Sequence, residues 1–173
     1  MSAKSPGRTV LVVTDGSVEA GAFSGWFAGV WAPDSPEAPI LEVRGGSSAG
    51  YLPEAELRPM VEALEAILSR ADLTGGIHCI TDSTWVAYNA RVVLDGISGR
   101  NRVCAPLWHR FAACVRCARA RNRQIAVTHS PRNSHAYQKI ADREAGRCRV
   151  LAAESGEFTS VDWQARATTP TPS

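Results

Sequence analysis

Four acidic residues of this 173-residue chain stand where acids are locally unusual. Asp15 follows an apolar run, in Thr14-Asp15-Gly16-Ser17, and Glu56 borders an apolar helical stripe. Asp82 ends a second apolar run, in Ile80-Thr81-Asp82-Ser83, and Asp142 lies in Ile140-Ala141-Asp142-Arg143. Singly, each has an ordinary explanation. Asp15 suits a turn before Gly16, Glu56 complements a helix dipole, Asp82 caps a helix, and Asp142 pairs with Arg143 or Lys139. Gathered at one end of a sheet, however, the four would repel one another unless cations lay among them. Oxygen-only sites of this kind suit Mg²⁺ or Mn²⁺. Two such ions about 4 Å apart activate a water and stabilise the leaving oxygen of a phosphodiester.

The elements that must position these acids follow from hydrophobic patterning. Residues 9–14, TVLVVT, are β-branched and apolar on both faces, as a central strand is. Strands follow at 25–32 and 40–44, divided by a Pro-rich turn. Leu57, Met60, Val61, Leu64, Ile67 and Leu68 then make one helical stripe. Pro59 would break a helix interior, so this helix is predicted to begin near Glu56. A buried strand spans 77–81, and a helix spans 83–94 with Ser83 as its N-cap. A helix at 107–119, a strand at 124–129 and a helix at 135–152 complete the order βββαβααβα. Three sequential strands imply an antiparallel meander, and helix-linked strands imply parallel additions. The predicted fold is α/β, a five-stranded mixed sheet flanked by helices. Residues 1–7 read as a loose arm, 8–153 as one domain, and 154–173 as a flexible tail.

In order and spacing these pieces resemble the type 1 ribonucleases H. The resemblance rests on Thr14-Asp15-Gly16-Ser17, on Glu56-Leu57 leading into Val61-Glu62-Ala63-Leu64-Glu65-Ala66, on Thr81-Asp82-Ser83 and on Ala141-Asp142-Arg143. Ser24-Gly25-Trp26, Ala49-Gly50-Tyr51 and Leu107-Trp108 support it, and it runs from about Val10 to Ala153. It implies a ribonuclease H-like fold and an endoribonuclease that cuts the RNA strand of RNA–DNA hybrids by two-metal-ion hydrolysis. Asp15, Glu56, Asp82 and Asp142 would be catalytic and metal-binding, with Asp15 shared by both ions. Gly16 and Ser17 would lie near the RNA 2′-hydroxyls. Two alternatives stay open: a nucleic-acid- or protein-binding module of this fold with weak or no catalysis, and a nuclease of this fold on another substrate.

The sequence departs from the family in two places. The auxiliary His expected ten residues before the last acid is replaced by Arg132. His129 and His135 flank that position, and His129, at a strand end, is the first choice for a proton-carrying role, with a purely structural role as the alternative. The segment before Glu56, Leu52-Pro53-Glu54-Ala55, carries an acid where relatives hold the DNA strand with polar residues.

Charge is unevenly placed. No Asp or Glu occurs between Gly96 and Ala141, whereas Arg100, Arg102, Arg110, Arg116, Arg119, Arg121, Arg123, Arg132 and Lys139 do. A polyanion partner is the expectation, with Arg100, Arg102, Arg116, Arg119, Arg123 and Arg132 as nucleic-acid contacts; a solvated basic face is the alternative. Cys114 and Cys117 have CxxC spacing but no second pair, which argues for packing rather than zinc. Five cysteines without framework spacing suit a reduced, cytoplasmic setting. No apolar run is long enough to span a membrane. A monomer without a membrane partner is expected.

Overall fold

The computed structural model describes residues 8–97 and 103–164. Strands β1 (Val10–Glu19), β2 (Phe23–Trp31) and β3 (Leu41–Ser47) form the antiparallel meander. Helix α1 (Leu52–Ser69) leads to β4 (Ile77–Thr81), which lies parallel to β1. Helices α2 (Thr84–Leu94) and α3 (Ala105–Ala120) precede β5 (Ile125–His129), parallel to β4. Helix α4 (Ala136–Ser155) is followed by β6 (Phe158–Trp163).

The sheet has six strands, in the order β5-β4-β1-β2-β3-β6, rather than five. The sixth pairs antiparallel with β3, Leu41 opposite Trp163 and Gly46 opposite Phe158. It lies inside the segment expected to be a tail, and α4 runs on to Ser155. Arg70 stacks over the Trp163 ring, 4.5 Å from its centroid, and fastens the new edge. The arm at 1–7, Arg100, Arg102 and the stretch 165–173 lie outside the described residues.

Helices cover both faces of the sheet. Strand β1 is apolar on both sides because it is central. Val10 and Val12 pack with Leu57, Leu64 and Phe111 of α1 and α3, while Val13 packs with Ala141 and Ala145 of α4. Helix α4 lies hard on β2. A Cβ placed on Gly25 would stand 2.1 Å from the Arg149 main-chain nitrogen, so only glycine fits.

Helix α1 begins at Leu52, a full turn before the expected start at Glu56. Pro53 in its first turn costs nothing, since the N–H it lacks would have no partner there. Pro59 is accommodated inside the helix at the loss of one hydrogen bond: the Ala55 carbonyl has no donor at position 59. Arg58 pairs with both Glu54 and Glu62 across this turn.

Candidate active site

Strands β1, β4 and β5 run parallel through one register, with Thr14 opposite Thr81 and Thr81 opposite His129. Asp15, Asp82 and His129 therefore emerge side by side. The Ser130 amide closes this edge by donating to the Thr81 carbonyl at 2.9 Å. Glu56 reaches the same place from α1, because Gly16 lets that helix approach. A Cβ on Gly16 would lie 2.6 Å from the Ala55 carbonyl carbon and 2.8 Å from the Glu56 nitrogen. Asp142 arrives from α4, and Arg132 donates a hydrogen bond to it.

Asp15 is 4% exposed. One carboxylate oxygen accepts from the Gly16 amide at 2.8 Å, and the other, Oδ2, is buried with no partner. Burial, then the charges of Asp82 and Asp142, push its pKa up to about 7, against the Gly16 hydrogen bond and the Arg132 charge. Burial raises Glu56 too, aided by Asp82 and opposed by a hydrogen bond from the Ser83 hydroxyl and by Arg132. Burial and Asp142 raise Asp82, while Arg132, its own amide and His129 act the other way. The four acids thus share one electrostatic neighbourhood, and Arg132 is the cation that all four feel.

The donor set is oxygen-only, carries an orphaned buried carboxylate oxygen, and holds Asp15, Glu56 and Asp82 above their ordinary pKa, chiefly by burial. Those features fit a hard cation. Among the described residues, no three His, Cys, Asp or Glu side chains are gathered closely enough to hold an ion in the conformation seen.

This electrostatic strain has a pH signature. Asp15 has an unfolded value near 3.8 and a folded value of about 7. Between these the folded chain holds a proton that the unfolded chain does not, so stability falls as pH rises. The contribution is complete below the unfolded value and lost on passing 7, and a shift of this size is worth roughly 4 kcal/mol at most. In a chelator, the melting temperature is expected to fall between pH 5 and 8 more steeply for the native protein than for Asp15→Asn. Thermal melts at matched pH check it.

Other expected site residues are placed differently. The Ser17 hydroxyl accepts from Arg149 of α4 at 3.2 Å. His135 is the N-cap of α4, its Nδ1 accepting from the Gln138 amide. It is therefore spent on the helix, and His129, exposed at the strand end, has the freer imidazole. Arg132 is half of an ion pair within the acid cluster. Helix α3 ends at Ala120, so Arg123 does not share a helix face with Arg116 and Arg119. Arg121 donates to the Leu68 carbonyl and Arg123 to the Gly75 carbonyl, at the end of the sheet away from the acids. Arg123 is buried, so it offers no surface to a duplex. Arg119 donates to the Leu94 carbonyl, and Arg116 stays exposed. Cys114 and Cys117 are free thiols.

Two residues matter here that the sequence did not single out for this purpose. Ser83 has a double task, capping α2 through the Val86 amide and holding Glu56. Gln138, fully buried, donates to the Thr14 carbonyl and ties α4 to β1 beside Asp15. An amide spaced at helical period with Ala141, Ala145, Cys148 and Ala152 was the signal for Gln138.

The sheet order and the single α4 on one face give the ribonuclease H-like fold. Solved structures with this fold include the N-terminal RNase H domain of rv2228c from Mycobacterium tuberculosis, determined as a maltose-binding-protein fusion. It is 21% identical, with a TM-score of 0.64, covering 86% of this chain and 98% of that one. LC11-RNase H1 in complex with an RNA/DNA hybrid, a protein isolated from compost by a metagenomic approach, is 16% identical with a TM-score of 0.63, covering 83% and 99%. The RNase H domain of prototype foamy virus is 19% identical with a TM-score of 0.62, covering 82% and 94%. No family model and no curated protein matches the sequence. Among the described residues no helix is long and apolar enough to cross a membrane.

Proposed function

We propose that this chain is a metal-dependent endoribonuclease of the type 1 ribonuclease H family, acting on the RNA strand of RNA–DNA hybrids. The observation that carries the proposal is the buried, unpartnered Oδ2 of Asp15, set among Glu56, Asp82 and Asp142 at the ends of three parallel strands. The likeness to a domain solved with an RNA/DNA hybrid supports the choice of substrate.

Asp15, Glu56, Asp82 and Asp142 would hold Mg²⁺ or Mn²⁺. Bound there, a hard cation supplies the positive charge that makes water nucleophilic and steadies the leaving oxygen. The chain does the remaining work. Asp15 is held from both sides, by the Gly16 amide and by the rigid centre of the sheet. Ser83 fixes the Glu56 carboxylate. His129, exposed beside Asp82, can carry a proton at the cleaved phosphodiester. Exposed Arg116 remains available to the phosphate backbone.

Cleavage assays with RNA–DNA hybrid, double-stranded RNA, double-stranded DNA and single strands, in Mg²⁺ and in Mn²⁺, test the proposal. Cleavage of the RNA strand of the hybrid alone is expected. Tight hybrid binding with no turnover in either metal would favour a binding module instead. The Arg132–Asp142 ion pair gives that second reading its support, since it occupies one of the four acids.

The same pair yields a separate expectation. Arg132→Ala frees Asp142 and removes a competing cation, so Mg²⁺ should bind about fivefold more tightly, the worth of a surface ion pair of about 1 kcal/mol. The Mg²⁺-dependent rise in melting temperature measures this; an unchanged midpoint would mean that Asp142 is not held back by Arg132.

A further inference from the structure

Three arginines gather at a second place, which the acid site leaves unexplained. A cavity of about 520 Å³ lies between α2, α3 and β5. Arg91, Arg119 and Arg123 line it, against a single acid, Asp95. Among the described residues none of the three arginines makes an ion pair. Arg123 is only 5% exposed: its Nε donates to the Gly75 carbonyl at 2.6 Å, while both terminal nitrogens are buried without a partner. Buried guanidinium groups are ordinarily paired. Here burial disfavours the charge and neighbouring Arg121 adds to the cost.

The rest of the cavity wall is of another kind. Leu94, Val115 and Ile125 give it an apolar side. Residues 124–127 run along it, and among the described residues β5 pairs with β4 only, which leaves main-chain donors and acceptors along its outer edge. An arginine cluster for a doubly charged anion, an apolar wall for a flat body and a strand edge for its polar rim make a composite site. Its volume falls within the range of small-molecule sites. The cavity runs along β5 as far as Val127 and His129 ends that strand, so the near end of the cavity is about 7 Å from His129 along it, at ~3.3 Å per residue.

We infer that this cavity binds a nucleotide-sized phosphate monoester, with its phosphate on the exposed Arg91 and Arg119, backed by the unneutralised charge of buried Arg123, and its base along Leu94, Val115 and the free edge of β5. The site is independent of the metal-dependent reaction and of its substrate.

Amide chemical-shift mapping of the full chain in a chelator, which disables cation-dependent binding at the acids, tests it. Adenosine 5′-monophosphate is the probe, with adenosine and inorganic phosphate as separate arms. The monophosphate is expected to shift residues 124–127 together with Leu94 and Asp95, and to bind more tightly than either fragment. The double variant Arg91→Gln, Arg119→Gln replaces two exposed residues and should weaken binding about tenfold or more, as loss of charge-assisted contacts does. Arg123→Met is the second variant; by removing the charge behind the cavity it should weaken binding, and its spectrum reports whether it folds. Shifts confined to Asp15 and Asp82, no shifts at all, or an affinity that ignores the double variant would each overturn the inference. So would inorganic phosphate matching the monophosphate.

Discussion

Asp15→Asn is expected to lower hybrid cleavage by about a thousandfold or more, a loss near 4 kcal/mol of transition-state stabilisation, while leaving the fold intact. The Asn side chain keeps an oxygen to accept from the Gly16 amide, so the strand end stays ordered. What disappears is the buried charge whose second oxygen has no partner. The metal-free variant should therefore melt higher than the native protein at pH 8, by a margin that narrows at pH 5 and closes only below the unfolded value near 3.8. Single-turnover cleavage together with melts at both pH values makes the test two-sided. Native turnover would remove Asp15 from the reaction; equal melts at pH 8 would remove the electrostatic account of the site.

The second large effect comes from one hydrogen atom at Gly16. Replacing it with a methyl group puts a carbon 2.6–2.8 Å from main-chain atoms of Ala55 and Glu56, and main chain cannot swing aside. Gly16→Ala is expected to cost about 2–3 kcal/mol, in the range of overpacked cores. Its effect on cleavage should exceed its effect on stability, because the element pushed outward is the turn that carries Glu56. Gly146→Ala is the control. It lies in α4 with nothing within 4 Å of the added methyl, and should stabilise by about 0.5–1 kcal/mol. Chemical denaturation and initial rates on the same preparations separate the two effects. Equal stability of Gly16→Ala and the native protein would mean that α1 is not seated on this glycine.

How far these features were legible in the sequence depends on where the determining contacts lie. Asp15 and Asp82 were legible because each terminates a run whose apolar character on both faces marks a central strand, and parallel central strands end together. The meander and its parallel additions followed from the same patterns. The start of α1 was misread because Pro59 carries a local penalty that tertiary packing overrides: Leu57, Met60 and Val61 are fully buried around it. Strand β6 was hidden by its own position. An outer strand shows water one face and one edge, so FTSVDW needs little apolar content and reads as a tail. Arg123 was expected among the nucleic-acid contacts, but α3 stops at Ala120, and Arg121 and Arg123 beyond it turn back to carbonyls of α1 and of the β4 approach. The Arg132–Asp142 pair spans a loop and a helix, and such a partner choice leaves no mark in local pattern. Gly16 against Ala55 is a contact between main chains, which side-chain chemistry does not announce.

The strand that escaped sequence reading also sets the order of events at the ribosome. Strand β3 emerges well before β6, and among the described residues its outer edge is covered by 158–163, after the whole of α1, α2, α3 and α4 has been made. Throughout synthesis the growing chain carries a bare strand edge able to pair with any neighbour of suitable length. This pairing has the longest sequence separation in the sheet, and contacts of that kind form late. Nascent chains released before Trp163 thus hold a nearly complete domain with one adhesive border, and they are the species from which association between copies would start.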